Sequence, residues 1–235
     1  MKNFSHLLQL EYLCLNENNL CNMEFINLCN ELKHLYLDFN EITQIEYVYE
    51  LKNLETLSLC CNKIRLVDNL PDNLKRLLLA SNLIDNLDKQ IINKLRNLEE
   101  INLANNLINN INIIYKLEAL KNLKVLSFSD PNFGESPISS LNSYRVYTIH
   151  YLPQIEILDS ILITEEDKLE AENIYKKKTM FYTQKIKNFY RSSKNIFLFL
   201  KMIKQFFILY KKLKIMFFLK RINMLKYLEV TIFIL

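Results

Sequence analysis

The chain has 235 residues, a formal net charge of +4, one glycine, four prolines and five cysteines. A single glycine excludes Gly-rich phosphate-cradling loops. Cys14, Cys21, Cys29, Cys60 and Cys61 have neither metal-ligand spacing nor a pairing pattern, which argues against a zinc site or a disulfide framework.

Taken in chain order, MKNFSHLLQL does not read as a signal peptide, so a reducing, cytoplasmic compartment is expected. From Leu10 the text repeats itself. LEYLCLNENNL (from Leu10), LKHLYLDFNEI (Leu32), LETLSLCCNKI (Leu54), LKRLLLASNLI (Leu74) and LEEINLANNLI (Leu98) share the frame L-x-x-L-x-L-x-x-N-x-L/I. LKVLSFSDPNF (Leu123) is a degraded sixth copy, with Pro131 where the Asn belongs. A recurrence of about 22 residues lies in the range of repeat arrays.

The spacing has a physical reading. Alternating leucines mark a short strand with one face turned inward. At its end, Asn18, Asn40, Asn62, Asn82 and Asn106 each offer an acceptor and two N–H donors, so Asn side chains stacked coil on coil can satisfy the backbone of the turn. Met23, Ile45, Val67, Leu87 and Ile111 close each coil on the convex side. No coil buries its leucines alone, so neighbours must stack. The frame resembles the leucine-rich repeat, which implies an α/β fold: a right-handed solenoid with a parallel concave sheet, a C-terminal cap and a helical extension. Asn is common throughout, about one residue in eight. An AT-rich coding sequence accounts for much of that.

In the second copy, Leu32, Leu35, Leu37, Asn40 and Ile42 are scaffold, whereas Lys33, His34, Tyr36, Asp38 and Phe39 are not required by the frame. The outward strand positions of all copies form the concave surface. On it Tyr12, His34, Tyr36 and Phe39 gather toward the N-terminal half, with Arg76 two coils on. Aromatic side chains and Arg most often anchor protein interfaces. Tyr12, His34, Tyr36, Asp38, Phe39, Ser58, Arg76 and Glu100 are therefore the expected partner-binding set. His6, His34 and His150 are far apart, and no H-E-x-x-H, nucleophile elbow or paired-carboxylate pattern occurs. His34, Asp38 and Cys60 could adjoin on successive coils, but an open ribbon has no pocket in which to shift a pKa. A non-enzyme is expected, with no catalytic residue, metal or cofactor.

After the repeats (1–143) the text changes. YRVYTIHYLPQIEILDSILITEEDKLE, from Tyr144, resembles the cap of the SDS22-like group through Tyr144, Arg145, Leu152-Pro153, Ile155 and Leu158-Asp159. A cap is expected over 144–163. A helical extension is expected over 164–194, with Thr164 to Asp167 as a capping-box-like start. DPNFGESPI from Asp130, the cap and KKKTMFYTQKIKN from Lys176 together resemble the repeat-cap-helix unit of leucine-rich repeat-containing protein nine, a long protein of cilia and flagella. The repeats alone are shared with dynein light chain one, the phosphatase regulator SDS22 and the spliceosomal U2 A-prime protein. The resemblance implies a protein-binding scaffold of a cytoskeletal or ciliary assembly. The alternatives are a phosphatase regulatory subunit and a nuclear ribonucleoprotein component. Too few repeats and no Trp weigh against the first.

Charge is uneven. Every acidic residue except Glu229 precedes Asn173, while about half of the basic residues follow it. At and within the basic tail (195–235), Lys194, Lys201, Lys204, Lys211 and Lys212 fall on one helical face, a pattern suited to an anionic membrane surface or a partner helix; a disordered appendage or translated non-coding sequence is the alternative. Lysines interrupt every window long enough to span a bilayer. The concave face is mixed and leans acidic, no recognisable RNA-binding module occurs, and the basic tail alone would give only salt-dependent, unspecific contacts, so nucleic acid is not an expected partner.

Overall fold

The structure is a computed structural model and describes residues 9–24 and 26–192. Six three-residue strands stand where the leucines alternate: β1 (Tyr12–Cys14), β2 (His34–Tyr36), β3 (Thr56–Ser58), β4 (Arg76–Leu78), β5 (Glu100–Asn102) and β6 (Val125–Ser127). Helices α1 (Lys89–Lys94) and α2 (Asn112–Leu117) lie in the connections before β5 and β6. All six strands pair in parallel and in one register, with Leu13, Leu35, Leu57, Leu77, Ile101 and Leu126 opposite one another. Leu32, Leu35, Leu37, Ile42 and Ile45 are fully buried, as are their counterparts in the third coil, and the convex-side residues Met23, Val67, Leu87 and Ile111 are buried as well.

The asparagines form the ladder that the frame implies. Asn62 accepts from Ile42 N–H at 3.0 Å and donates to the carbonyls of Leu37 and Leu59 at 2.9 and 3.1 Å. Asn40, Asn82 and Asn106 repeat the pattern. Immediately before each Asn the backbone is left-handed, at Glu17 (φ 58°), Phe39 (57°), Cys61 (55°), Ser81 (56°) and Asn105 (50°). That conformation costs side-chain-bearing residues about 1–2 kcal/mol each. The ladder and the stacked leucines offset it.

Asn also serves a second row that the frame did not reveal. The residue before the first leucine of a coil donates across the corner to the preceding coil: Asn73 to Lys52 O, Asn97 to Asp72 O at 3.4 Å and Asn122 to Arg96 O at 2.9 Å. Asn53 reaches the Glu31 carboxylate at 3.0 Å instead. These Asn residues therefore carry structural bonds, and coding bias does not explain them. Two positions further on, just after the first leucine, the charge alternates: Glu11, Lys33, Glu55, Lys75, Glu99, Lys124 and Glu156 occupy the same place in successive coils. Ion pairs join Glu11–Lys33 (2.9 Å), Glu55–Lys75 (3.0 Å) and Lys124–Glu156 (3.5 Å).

The sixth coil lacks its Asn and uses another device. β7 (Ser129–Asp130) and β8 (Gly134–Glu135) form a hairpin around Pro131, closed by the only glycine of the chain at φ 99°. The hairpin delivers Ser136 to the vacant rung. Its hydroxyl donates to Leu103 O and accepts from Asn106 N–H, both at 2.8 Å, while its own N–H donates to Phe128 O at 2.7 Å.

The cap consists of α3 (Tyr144–Tyr151), β9 (Ile157–Leu158) and β10 (Ile161–Leu162). β9 continues the parallel sheet from β6, and β10 turns back antiparallel to end it. Ile149, Leu152, Ile155 and Leu158 are buried, and the Tyr147 and Tyr151 rings lie 4.5 Å apart. Asp159 accepts from the N–H groups of Phe128 (2.8 Å) and Ser129 (3.0 Å). Helix α4 (Glu165–Ser192) opens on a reciprocal capping box. Thr164 N–H donates to the Asp167 carboxylate at 2.9 Å, and Asp167 N–H to Thr164 Oγ1 at 3.1 Å. The chain divides into two compact units after Ala171, inside α4.

Two expectations, the exposure of Ser58 and the ladder role of Asn18, need correction. Ser58 was expected on the open surface, but it is 1% exposed, because a short side chain in a row of longer neighbours is covered by them. The strand side of the first coil is not enclosed, although Met23 on its convex side is buried. Leu10, Leu13, Leu15 and Leu20 remain half-exposed, and Asn18 is exposed and donates only to Leu15 O and Asn16 O of its own turn. Leu7, Leu8 and the tail over 195–235 lie outside the described residues.

Candidate protein-binding face

The parallel register sorts the outward residues into rows. One row runs Tyr12, His34, Thr56, Arg76, Glu100 and Val125; the next runs Cys14, Tyr36, Ser58, Leu78, Asn102 and Ser127. This brings three of the expected residues together. The Tyr12 ring centroid lies 5.3 Å from Tyr36 and 6.3 Å from His34, both pairs tilted, at 39° and 49° between ring planes. Tyr12 is 56% exposed, because it stands on the edge strand with no coil beyond it among the described residues. Phe39 is 53% exposed and projects from the left-handed turn. It has no ring contact with the other three among the described residues.

The polar members behave differently. Arg76 Nε donates to Glu100 Oε2 at 2.6 Å, so these two form one exposed, charge-neutral unit on β4 and β5, and the bond raises the guanidinium pKa further. Asp38 is only half-exposed. Its Oδ1 accepts from Ser58 Oγ at 2.5 Å and Cys60 N–H at 2.7 Å, and its own N–H donates to Asn16 at 2.7 Å. The carboxylate therefore locks coils one to three together. Sequence reasoning placed it among the free residues because the frame says which way a side chain points and nothing about what it meets there.

The third coil forms the small-residue centre of the face. Thr56 and Ser58 are buried at 2% and 1%, and Cys60, Ala80 and Ala104 make a buried strip beside them. Leu78 and, from the hairpin, Phe133 pack on that strip. Phe133 was not singled out earlier, although the atypical DPNFG run signalled that something replaced the sixth turn. Burial, reinforced by the Asp38 carboxylate, pushes the Cys60 thiol up to about 12. At neutral pH it is protonated, so Cys60 supplies no thiolate to a pair with His34.

Among the described residues no group of three His, Cys, Asp or Glu side chains could hold a metal ion, and no helix is long and apolar enough to cross a membrane. Two surface depressions lie off the concave face. One is lined by Lys33, Lys52, Asn53, Glu55, Asn73, Lys75 and Asn97, the other by Tyr47, Tyr49, Glu50 and Asn69.

Stacked leucine coils, an Asn ladder and an open sheet carrying exposed rings define a leucine-rich repeat protein. The chain belongs to the leucine-rich repeat family, whose pattern matches residues 22–187. It is 31% identical over 159 residues to a probable U2 small nuclear ribonucleoprotein A′ of Drosophila melanogaster, covering 66% of this chain and 58% of that protein. The Caenorhabditis elegans counterpart is 28% identical over 159 residues, covering 66% of this chain and 60% of the relative. The chain thus spans less than two thirds of these relatives. Among solved structures, the crystal structure of the Drosophila melanogaster SNF/U2A′ complex contains a similar chain at TM-score 0.53 and 29% identity, covering 59% of this chain and 80% of that one.

Proposed function

We propose that this chain is a non-enzymatic protein-binding scaffold that takes a protein partner on the concave face over Tyr12, His34, Tyr36, Phe39, Arg76 and Glu100. The observation that carries this reading is the cluster of the exposed Tyr12 with the half-exposed His34 and Tyr36, on a sheet whose other outward strand residues carry no ring. Rings of this kind supply contact area at low entropic cost. Asp38 and Ser58 support the face from beneath. The assembly is of ribonucleoprotein type and nuclear, a reading favoured by the similarity to U2 small nuclear ribonucleoprotein A′ proteins and to a chain solved in complex with SNF. The cytoplasmic or ciliary reading rests on the resemblance of DPNFGESPI, the cap and the following helix to leucine-rich repeat-containing protein nine. The SDS22-like cap by itself does not make a phosphatase regulator.

The test is affinity capture with the native chain, a Tyr12→Ala/Tyr36→Ala/Phe39→Ala variant and a Tyr49→Ala control, with and without ribonuclease. One partner lost by the concave variant and kept by the control is the expected result. Equal capture by all three would overturn the concave-face reading, and a cytoskeletal partner indifferent to ribonuclease would overturn the ribonucleoprotein one.

A further inference from the structure

Helix α4 reverses its charge along its length. Its first two turns hold Glu165, Glu166, Asp167 and Glu170, whereas from residue 172 onward Glu172 is the sole carboxylate against Lys176, Lys177, Lys178, Lys185, Lys187 and Arg191. The second unit contains that basic part. There Tyr175, Lys178, Tyr182 and Ile186 are buried or half-buried, which leaves the opposite side open.

The open side has a defined composition. Lys177, Met180, Phe181, Gln184, Lys185 and Lys187 are exposed on it, Met180 by 73% and Phe181 by 55%. Lys185 Nζ sits 4.6 Å from the Phe181 ring centroid. Lys176 is paired with Glu172 at 2.6 Å, whereas Lys177 and Lys187 have no ion pair among the described residues. At about 1.5 Å of rise per residue, Lys176 and Lys187 are about 16 Å apart along the axis, room for a few nucleotides of extended strand between them.

We infer that this face of α4, from Lys176 to Lys187, binds single-stranded RNA. Lysines track the phosphates, and the exposed Phe181 ring, already beside a cation, offers a base a surface to stack on. An anionic membrane is the competing occupant, but an interfacial helix needs a continuous apolar side. Here only Met180 and Phe181 are apolar, with Asn173, Gln184 and Asn188 sharing the same side. The inference goes beyond the concave face and does not depend on it. It also differs from the expectation that nucleic acid is not a partner, which considered the concave sheet and the tail.

The experiment is fluorescence anisotropy of a labelled, unstructured RNA of about 15 nucleotides with the full chain, titrated across a range of salt concentrations. Lys177→Gln/Lys187→Gln should weaken binding about tenfold or more and lower the steepness of the salt dependence by about 1.4, or about 0.7 per lost phosphate contact. Phe181→Ala should weaken binding about fivefold or more and leave the salt dependence unchanged, a split that loss of helix structure would not produce. Lys201→Glu/Lys204→Glu, in the tail, serves as the control. Three outcomes would overturn the inference: no binding by the native chain, binding lost only in the tail variant, or binding to phosphatidylserine–phosphatidylcholine vesicles in place of RNA that the Lys177/Lys187 variant abolishes.

Discussion

Phe39 has two roles that its neighbours keep separate. It stands in the left-handed position before the ladder Asn, where a ring gains nothing from the backbone, and it is half-exposed on the face proposed to bind. Phe39→Asn should therefore raise stability by about 0.5 kcal/mol, since Asn tolerates that conformation, and should weaken partner capture at the same time; thermal unfolding beside affinity capture reads both. Asn82 presents the reverse case. Asn82→Leu would fill the space yet strand the N–H of Ile64 and the carbonyls of Leu59 and Leu79. A buried unmet group costs about 1–3 kcal/mol, so a urea midpoint unchanged by this substitution would refute the ladder. The leucines and asparagines were legible from the sequence because their spacing alone decides inward from outward. Ser58 and Asp38 were not, because their burial depends on the length of side chains one coil away. Ser136 escaped notice because its rung is reached through a hairpin, out of step with the repeat.

The hairpin and the cap are where the array departs from its own rule, and each departure can be measured. Ser136→Ala removes the bonds to Leu103 O and Asn106 N–H from a fully buried site, so a loss of about 1–3 kcal/mol is expected. Ser136→Asn should recover little, because the site is fully buried and the longer side chain would overpack it. In the cap and the first turn of α4, two aspartates titrate in opposite senses. Burial raises the pKa of Asp159 against its two amide bonds, so its contribution to stability falls as pH rises from below the ordinary carboxylate range through the raised folded value. The bonds to Thr164 lower that of Asp167, so its contribution is present above the ordinary range and fades as pH falls through the depressed one. Asp159→Asn keeps an acceptor for Phe128 and Ser129 and should flatten the first dependence. Asp167→Asn should flatten the second. Urea midpoints across about pH 3 to 7 separate them, and identical profiles for both variants would show that the assignments are wrong.

At the scale of the molecule, each coil is covered by the next and the last by the cap, while the first has half-exposed leucines and a strand edge. Local opening should concentrate there. In the isolated chain, amides of Tyr12 to Leu15 should exchange faster than those of Leu35 to Leu37 or Leu57 to Leu59, and equal protection would count against it. The alternating Glu and Lys strip gives the stack a parity. Removing one internal coil, from Leu54 to Asn73, would set Lys33 beside Lys75, like charges where each had a partner. Removing two, from Leu32 to Asn73, would set Glu11 beside Lys75 and restore the order of signs. Exposed pairs are each worth only about 0–1 kcal/mol, yet the sign of the effect runs against size: the array shortened by two coils should lose less stability per coil removed than the array shortened by one. Coils of this solenoid are thus exchangeable in pairs and not singly, as if the unit of construction were two turns of the chain and the single repeat only its half.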